Sequence, residues 1–456
     1  MAAGALPGFR DFYPDEFAQR AHIFRAWREV ARRYAFVEYD GPPLELLEMY
    51  TRKSGAEIAA QLYNFTDKGG REVALRPEMT PTFARMVAAR ANELRKPVRW
   101  FSIPQLFRYE RAQRGRLREH FQLNVDIVGE ASEQADAELL CLAIDVMREL
   151  KLTGKDVRAR VSDRRLLNAL LSELGVAMDQ VPTVYAVLDK FARQPSAVSR
   201  EKLLTAGIAQ VTVDRIMTLP EIRTVEGLMA GAGASEALAP HIAHLATYFS
   251  HLSALGVGDW VDLDLTIVRG LAYYTGVVFE LFDCRSELRA VCGGGRYDTL
   301  LRDLGGVDLP ALGFGMGDVV LGELLKARGL MPESFGAGAD VFVLGGAGAL
   351  DHGIADALKL VPHLRATGLR VEYALNAERY LTQASRNQLD SAKKAGARAA
   401  LSFESKAEVA VQGLAGKASD APRRLFAAAP LLAGNREAMT ELKQWFDANI
   451  PQRHTD

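Results

Sequence analysis

Apolar residues recur at intervals of three and four after Pro14 and Asp15, in EFAQRAHIFRAWREVARRYAF, and predict an amphipathic helix behind a short entry loop. Residues 36–39 read as a short strand before the turn Gly41-Pro42-Pro43. Within 63–75, Phe65, Val73 and Leu75 alternate with polar residues around Gly69-Gly70, the pattern of a hairpin. Residues 97–109 and 120–129 are strand-like on either side of a basic loop, and 134–151 is strongly helical. From 160 to 255, Leu and Ala recur at helical spacing with few strand signals, which predicts a helical insertion. Strand character returns at 259–268 and 273–283, followed by glycine-rich runs at 292–298 and 313–317. Residues 328–339 have linker composition. Beyond them, strand 340–344, a helix, strand 369–375, a basic helix at 377–395 and strand 399–403 alternate as βαβαβ. That order predicts a small α/β domain with largely parallel pairing.

Composition narrows the class. At 456 residues, with 48% hydrophobic and 25% charged content, two or three domains are expected. No run of about 18 apolar residues predicts a membrane span. The first residues lack a basic stretch followed by an apolar one, so no signal peptide is expected. Cys141, Cys284 and Cys292 form neither a disulfide framework nor a zinc spacing, and suit a reducing, cytoplasmic setting. The net charge of -1 excludes a histone-like or tail-driven nucleic-acid binder but not local basic patches.

Such a patch stands at residues 108–118, where five arginines and one glutamate give a local +4. A turn between strands that carries several guanidinium groups can aim them at one polyanion, with geometry suited to phosphate. A second +4 run lies at 379–398, where Arg379, Arg386, Lys393, Lys394 and Arg398 face only Asp390.

Phe107-Arg108-Tyr109-Glu110 resembles the second class-defining motif of the class II aminoacyl-tRNA synthetases. Leu75 to Thr80 resembles the LRPE-x-T element of their histidine-specific family, and the segment at Arg269, RGLAYYTG, its RGLxYY signature. Gly294-Gly295-Arg296-Tyr297-Asp298, Gly313-Phe314-Gly315-Met316-Gly317 and the opening Gly8-Phe9-Arg10-Asp11 complete six collinear matches across essentially the whole chain.

The resemblance implies an α+β catalytic domain over 1–327, an antiparallel sheet flanked by helices, interrupted by the helical insertion at about 160–255. A linker at 328–339 and an α/β anticodon-binding domain with a C-terminal helix at 340–456 would follow. It implies activation of histidine by ATP and transfer to the 3′ end of tRNA(His), in a homodimer. Arg108 and Arg269 would flank the reacting carboxylate and α-phosphate. Glu110, Arg116 and a ring at His120 or Phe121 would serve ATP, with stacking preferred to proton transfer for His120. Histidine would be read by Glu78, Thr80, Gln122, Asp126, Tyr273 and Tyr274. Gln122 and Asp126, four apart on a strand, share a face. Mg2+ bridging the phosphates is implied, with no ligand set legible from spacing. Arg379, Arg386, Lys393 and Lys394 would meet tRNA phosphates. Glycines 293–295 fit neither a Walker nor a dinucleotide pattern and read as pocket wall.

Two positions depart from the family pattern. Val320 stands where the third motif places an arginine for the γ-phosphate, a contact worth about 1.5–3 kcal/mol. Arg114, Arg116 and Arg118 are candidates to replace it. Ala272 stands where the signature carries Asp. These departures motivate a rival: the non-charging paralogue that senses histidine and regulates ATP phosphoribosyltransferase. Such paralogues typically lack the terminal domain and the signature arginines, which this chain retains.

Overall fold

The computed structural model describes residues 4–51, 61–110, 115–232, 235–268, 273–285, 288–332, 338–344, 353–375, 385–415 and 421–451. The chain divides into two units, Met1–Met331 and Pro332–Asp456. The first contains strands β1 (Val37–Glu38), β2 (Leu44–Leu46), β3 (Asn64–Thr66), β4 (Glu72–Leu75), β5 (Val98–Ser102) and β6 (Gln105–Phe107). It continues with β7 (Glu119–Val128), β8 (Val157–Asp163), β9 (Val261–Leu263), β10 (Val277–Asp283), β11 (Cys292–Arg296) and β12 (Ala311–Gly317).

Among the described residues the main sheet runs β1-β5-β7-β12-β11-β10-β8-β9, with β6 also paired to β7. Its interior pairings are antiparallel. Only the outermost pairs, β1 with β5 and β8 with β9, are parallel, so the sheet is mixed at its edges. A separate three-stranded sheet, β2-β4-β3, contains the hairpin legible from the alternation at 63–75.

One face of the main sheet is apolar because every second residue of β7 is. Leu123, Val125 and Ile127 are buried there. The helix Glu133–Glu149 is buried nearly all round, with Leu139, Leu140, Leu142, Ile144, Val146 and Met147 inaccessible, so it is apolar on several sides rather than striped. The first helix, Pro14–Arg33, brings Trp27, Val30 and Ala31 to the same core and Phe24 against Phe121. The opposite face carries the polar residues of the site.

The helical stretch begins later than its composition suggests. Residues 157–163 are strand β8, with Val157, Ala159 and Val161 buried and Arg158 and Arg160 between them. The alternation is that of a strand, and the helix Arg164–Glu173 starts only where Asp163 caps it by accepting from the Arg165 and Leu166 backbone N–H groups. Strand character predicted at 259–268 contracts to β9.

Buried charge ties helix to sheet at one point. Arg296, on β11, sets its guanidinium on Asp136 of the helix Glu133–Glu149 at 3.0–3.1 Å and also donates to the carbonyls of Glu130 (3.0 Å) and Ser132 (3.3 Å). Burial raises the Asp136 carboxyl's pKa, opposed by Arg296.

The second unit holds β13 (Val341–Val343), β14 (Val371–Tyr373), β15 (Ala399–Phe403), β16 (Glu408–Gly413) and β17 (Arg423–Ala427), in the order β14-β13-β15-β16-β17. The three strands predicted from βαβαβ pair in parallel, and β16 and β17 extend them antiparallel. Val341, Val343, Leu401, Val409 and Val411 share a core with Leu360, Leu364, Leu442 and Phe446 from the helices Gly353–Ala366 and Arg436–Asn449. Phe342, Ala400 and Ala392 form a second cluster with residues beside the helix Ser385–Lys394.

Replacing Arg296 by Met strips the partner from a buried carboxylate. We expect Arg296→Met to lower the stability of the first unit by about 3–5 kcal/mol, read as a lower urea midpoint.

Candidate active site

The register of the main sheet creates a trough. One row of directly paired residues reads Asn124, Gly315, Gly293, Glu280, Arg160 across β7, β12, β11, β10 and β8. The next reads Asp126, Gly313, Gly295, Val278, Ser162. In both rows the two middle strands contribute only glycine, so side chains rise on either side of a bare floor. With strands about 4.8 Å apart, the walls on β7 and β10 stand about 14 Å from each other. Alanine at 315 would bring its Cβ to 2.7 Å from the Gln122 carboxamide, and alanine at 313 would overlap the Asp126 carboxylate. The missing side chains are therefore what let Gln122 and Asp126 lean across β12.

A cavity of about 380 Å³ opens on this floor. Of the residues singled out from sequence, Arg108, Glu110, Arg116, His120 and Gln122 line it. Arg108 is aimed by its Nε, which donates to the Pro77 carbonyl at 3.0 Å. Glu110 forms an ion pair with Arg116. Behind the cavity, Glu78, Asp126, Tyr273 and Tyr274 gather at the buried end of the trough. The Tyr273 hydroxyl donates to Glu78 Oε2 at 3.3 Å, and the Tyr297 hydroxyl donates to Asp126 Oδ1. The Tyr273 and Tyr297 rings meet edge to face, 5.8 Å between centroids, which joins the two carboxylates into one group. Tyr274 packs with Phe83, Val278 and Tyr297. Thr80 is half-buried at the start of the helix Thr80–Ala89, outside the cavity lining.

Electrostatics separate the roles of these groups. Burial pushes the Asp126 carboxyl up to about 7, against the Tyr297 hydrogen bond. Glu78 is also raised by burial, opposed by the Arg108 charge and the Tyr273 hydroxyl. Burial, reinforced by Arg108, Arg10 and Arg116, drives His120 down to about 3. Its imidazole is neutral throughout the working pH range, a flat uncharged ring beside Gly317 rather than a proton carrier.

Four expectations need correction or bounding. Phe121 is on the other face of β7, where strand alternation sends it among Phe12, Phe24 and Arg20, so only His120 of the pair reaches the cavity. Arg118 is structural: it stacks 4.4 Å from the Tyr109 ring centroid and its Nε donates to the Glu110 carbonyl at 3.1 Å, holding the turn. Arg269, Ala272, Arg114 and Arg379 lie outside the described residues, as does the side chain of Arg386. Lys393 and Lys394 are exposed in the last turn of the helix Ser385–Lys394. Arg398, by contrast, is committed to Asp340 (3.1 Å) and the carbonyls of Ile450 and Pro451.

The cavity also holds residues the sequence did not mark. Arg160 and Glu280 are paired across β8 and β10. Arg193 and Arg289 complete the basic lining. Charged residues alternating with apolar ones in β8 and β10 were the available signal for Arg160 and Glu280. Another network ties the opening segment to β7 and to the helix that starts at Asp318: Arg10 donates to Glu119 at 2.6 Å and to Asp318 at 2.9 Å, and Asp318 accepts from the Phe121 N–H at 2.9 Å. No cluster of metal-ligating side chains occurs among the described residues.

A family model for histidyl-tRNA synthetase matches residues 8–317. The chain belongs to the histidyl-tRNA synthetase family. It is 47% identical over 376 residues to a histidine–tRNA ligase of Opitutus terrae, covering 81% of this chain and 85% of that one. A histidine–tRNA ligase of Halobacterium salinarum is 42% identical over 329 residues, 72% of this chain and 76% of its own. Among solved structures, the histidyl-tRNA synthetase of a Nostoc species superposes with a TM-score of 0.77 at 22% identity, covering 96% of this chain and all of that one. A Bacillus halodurans protein described as an ATP phosphoribosyltransferase regulatory subunit/histidyl-tRNA synthetase gives 0.71 at 24% identity, over 86% and 96% of the two chains. At such identities these two likenesses speak to the fold alone.

The raised Asp126 carboxyl makes a pH prediction. Its native pKa lies above the unfolded value of 3.8, so the folded chain holds the proton longer and loses stability as pH rises from about 4 to about 7. Asp126→Asn removes this loss. Its melting advantage over the parent should grow between pH 5 and pH 8.5 by about 2 kcal/mol, while histidine affinity at pH 8 falls about tenfold or more.

Proposed function

We propose that this chain is a histidine–tRNA ligase that activates histidine with ATP and passes it to tRNA(His) from the trough floored by β11 and β12. The observation that carries the reading is the joining of Glu78, Tyr273, Tyr297 and Asp126 behind a cavity lined by Arg108, His120 and Gln122. A buried carboxylate, Glu78, answers the α-ammonium group of an amino acid. Asp126 at the far end accepts from an imidazole N–H, with Tyr297 fixing its orientation. A side chain without a ring N–H would leave Asp126 desolvated with Tyr297 as its one donor among the described residues, so such an amino acid is disfavoured.

In the first step a carboxylate oxygen of histidine attacks the α-phosphorus of ATP, the bond to the bridging oxygen breaks, and pyrophosphate leaves. Arg108 meets charge as it develops on the α-phosphate and carboxylate. Arg269 is proposed for the opposite side, following the family motif. His120 provides the ring face for adenine. In the second step a hydroxyl of the tRNA's terminal ribose attacks the acyl carbon and AMP departs.

Mg2+ fits the acidic donors present: Glu280, a hard oxygen ligand on the cavity wall, would hold it together with the phosphates, and it would neutralise triphosphate charge. The exposed Lys393 and Lys394 support a tRNA-facing second unit, and Arg379 and Arg386 are proposed beside them. Exposed apolar side chains on Val37 of edge strand β1 and on Leu44, Leu46 and Phe65 of the small sheet support a homodimer. No helix of the described residues is long and apolar enough to cross a membrane, and we propose a cytoplasmic location. The regulatory-paralogue reading is not favoured, since the relatives at 40–47% identity are ligases and this chain keeps Arg108 and the second unit.

Histidine-dependent ATP–pyrophosphate exchange tests the assignment, followed by charging of tRNA. We expect exchange with histidine alone, falling by about 100-fold or more in Arg108→Ala. No exchange with any amino acid would overturn the ligase reading. Stimulation of a phosphoribosyltransferase would then favour the rival, and exchange with another amino acid would show the pocket to be misassigned.

A further inference from the structure

The basic residues of the cavity are not equally employed. Arg108 is steered by the Pro77 carbonyl, and Arg160 leans on the Phe282 ring at 4.7 Å with Asp264 3.7 Å away. Arg116 is paired to Glu110. Arg193 and Arg289 remain, and among the described residues neither makes an ion pair with a carboxylate. They arrive from distant parts of the chain. Arg193 ends the single helical turn Phe191–Arg193 of the helical insertion, and Arg289 lies in the segment before β11.

These two guanidiniums and Arg116 line one cavity. Burial lowers the Arg289 pKa, and the charges of Arg116 and Arg193 lower it further, with Glu110 alone opposing them. Three cations around one carboxylate, at the wall of a cavity, are an unfavourable arrangement in the free protein. The strain is relieved by an anion carrying more than one charge. At the same end of the cavity the wall is apolar: Val320 lies beside Gly115, next to Arg116, where a Cβ on the glycine would stand 3.5 Å from Val320 Cγ2. The helix that starts at Asp318 therefore contributes no positive charge there.

We propose that Arg289, with Arg193 of the helical insertion beside it, forms the subsite for the leaving pyrophosphate, the β- and γ-phosphates of ATP, and so supplies from elsewhere in the chain the cation absent at Val320. This deepens the ligase reading and rests on it for the identity of the nucleotide. Planar guanidiniums suit paired contacts to phosphate oxygens, and the partial burial of Arg289 strengthens its contact. One consequence is that nucleotide binding draws on the helical insertion as well as the sheet.

Inorganic pyrophosphate is the probe, titrated calorimetrically into the full chain and its variants. Arg289→Ala and Arg193→Ala should each raise the Kd for pyrophosphate by about tenfold or more, with Arg289→Lys in between. In exchange assays the KM for ATP should rise with it, while the KM for histidine stays within about twofold, a split that general loosening would not give. Adding Val320→Arg to Arg289→Ala should recover part of the lost affinity. Arg193 is exposed, so its variant carries the test if Arg289→Ala does not fold. Pyrophosphate affinity unchanged in both alanine variants would overturn the subsite. A parent chain that binds pyrophosphate through these arginines yet shows no histidine-dependent exchange would overturn the ligase reading and leave the subsite standing.

Discussion

Everything chemical in the first unit depends on the close approach of side-chain-free backbone at the centre of the main sheet. Sheets usually cover their faces with side chains, and a pocket on a sheet must be cleared by omission. Here β11 and β12 present glycine at both middle positions of two successive rows, which lowers the floor while the flanking strands keep their polar residues. The omission is sterically enforced at 313 and 315, where even a methyl group would run into Asp126 or Gln122. Arg296, at the end of β11, anchors that bare strand to the buried helix behind it through Asp136. Without this anchor the glycine strands would have little but ladder hydrogen bonds to hold their position.

The charges that made the chain look patchily basic divide into two populations. Some are structural: Arg118 holds the turn that carries Glu110, Arg398 clamps the end of the second unit, and Arg10 bridges Glu119 and Asp318. Others line the cavity and are incompletely balanced. A local count of +4 therefore overstates the charge available to a ligand at residues 108–118, and no count over neighbouring residues could include Arg193 or Arg289, which join the site only through the fold.

Much of this was legible in the sequence, for reasons that differ by feature. The amphipathic first helix, the hairpin at 63–75 and β7 follow from periodicity, and the site strands follow from motifs whose residue types match the chemistry. What escaped shares a physical cause. Strand β8 reads as part of a helical region because Arg158 and Arg160 break its apolar run, although the alternation itself is strand-like. Phe121 looked equivalent to His120 because adjacency in sequence hides the alternation of a strand, which sends them to opposite faces. Tyr297 was visible within a motif, but its bond to Asp126 exists only once β7 and β12 are paired and the segment after β11 turns beneath them.

The bare floor also bears on how the site responds to inhibitors. A compound seated on β11 and β12 rests on peptide groups, which a point substitution cannot remove. Any replacement of Gly313 or Gly315 that pushed the compound away would also displace Asp126 or Gln122, the groups proposed to read the natural substrate. Escape from such a compound would have to arise at the trough walls, where Arg160 offers a side chain that can change while the floor stays intact.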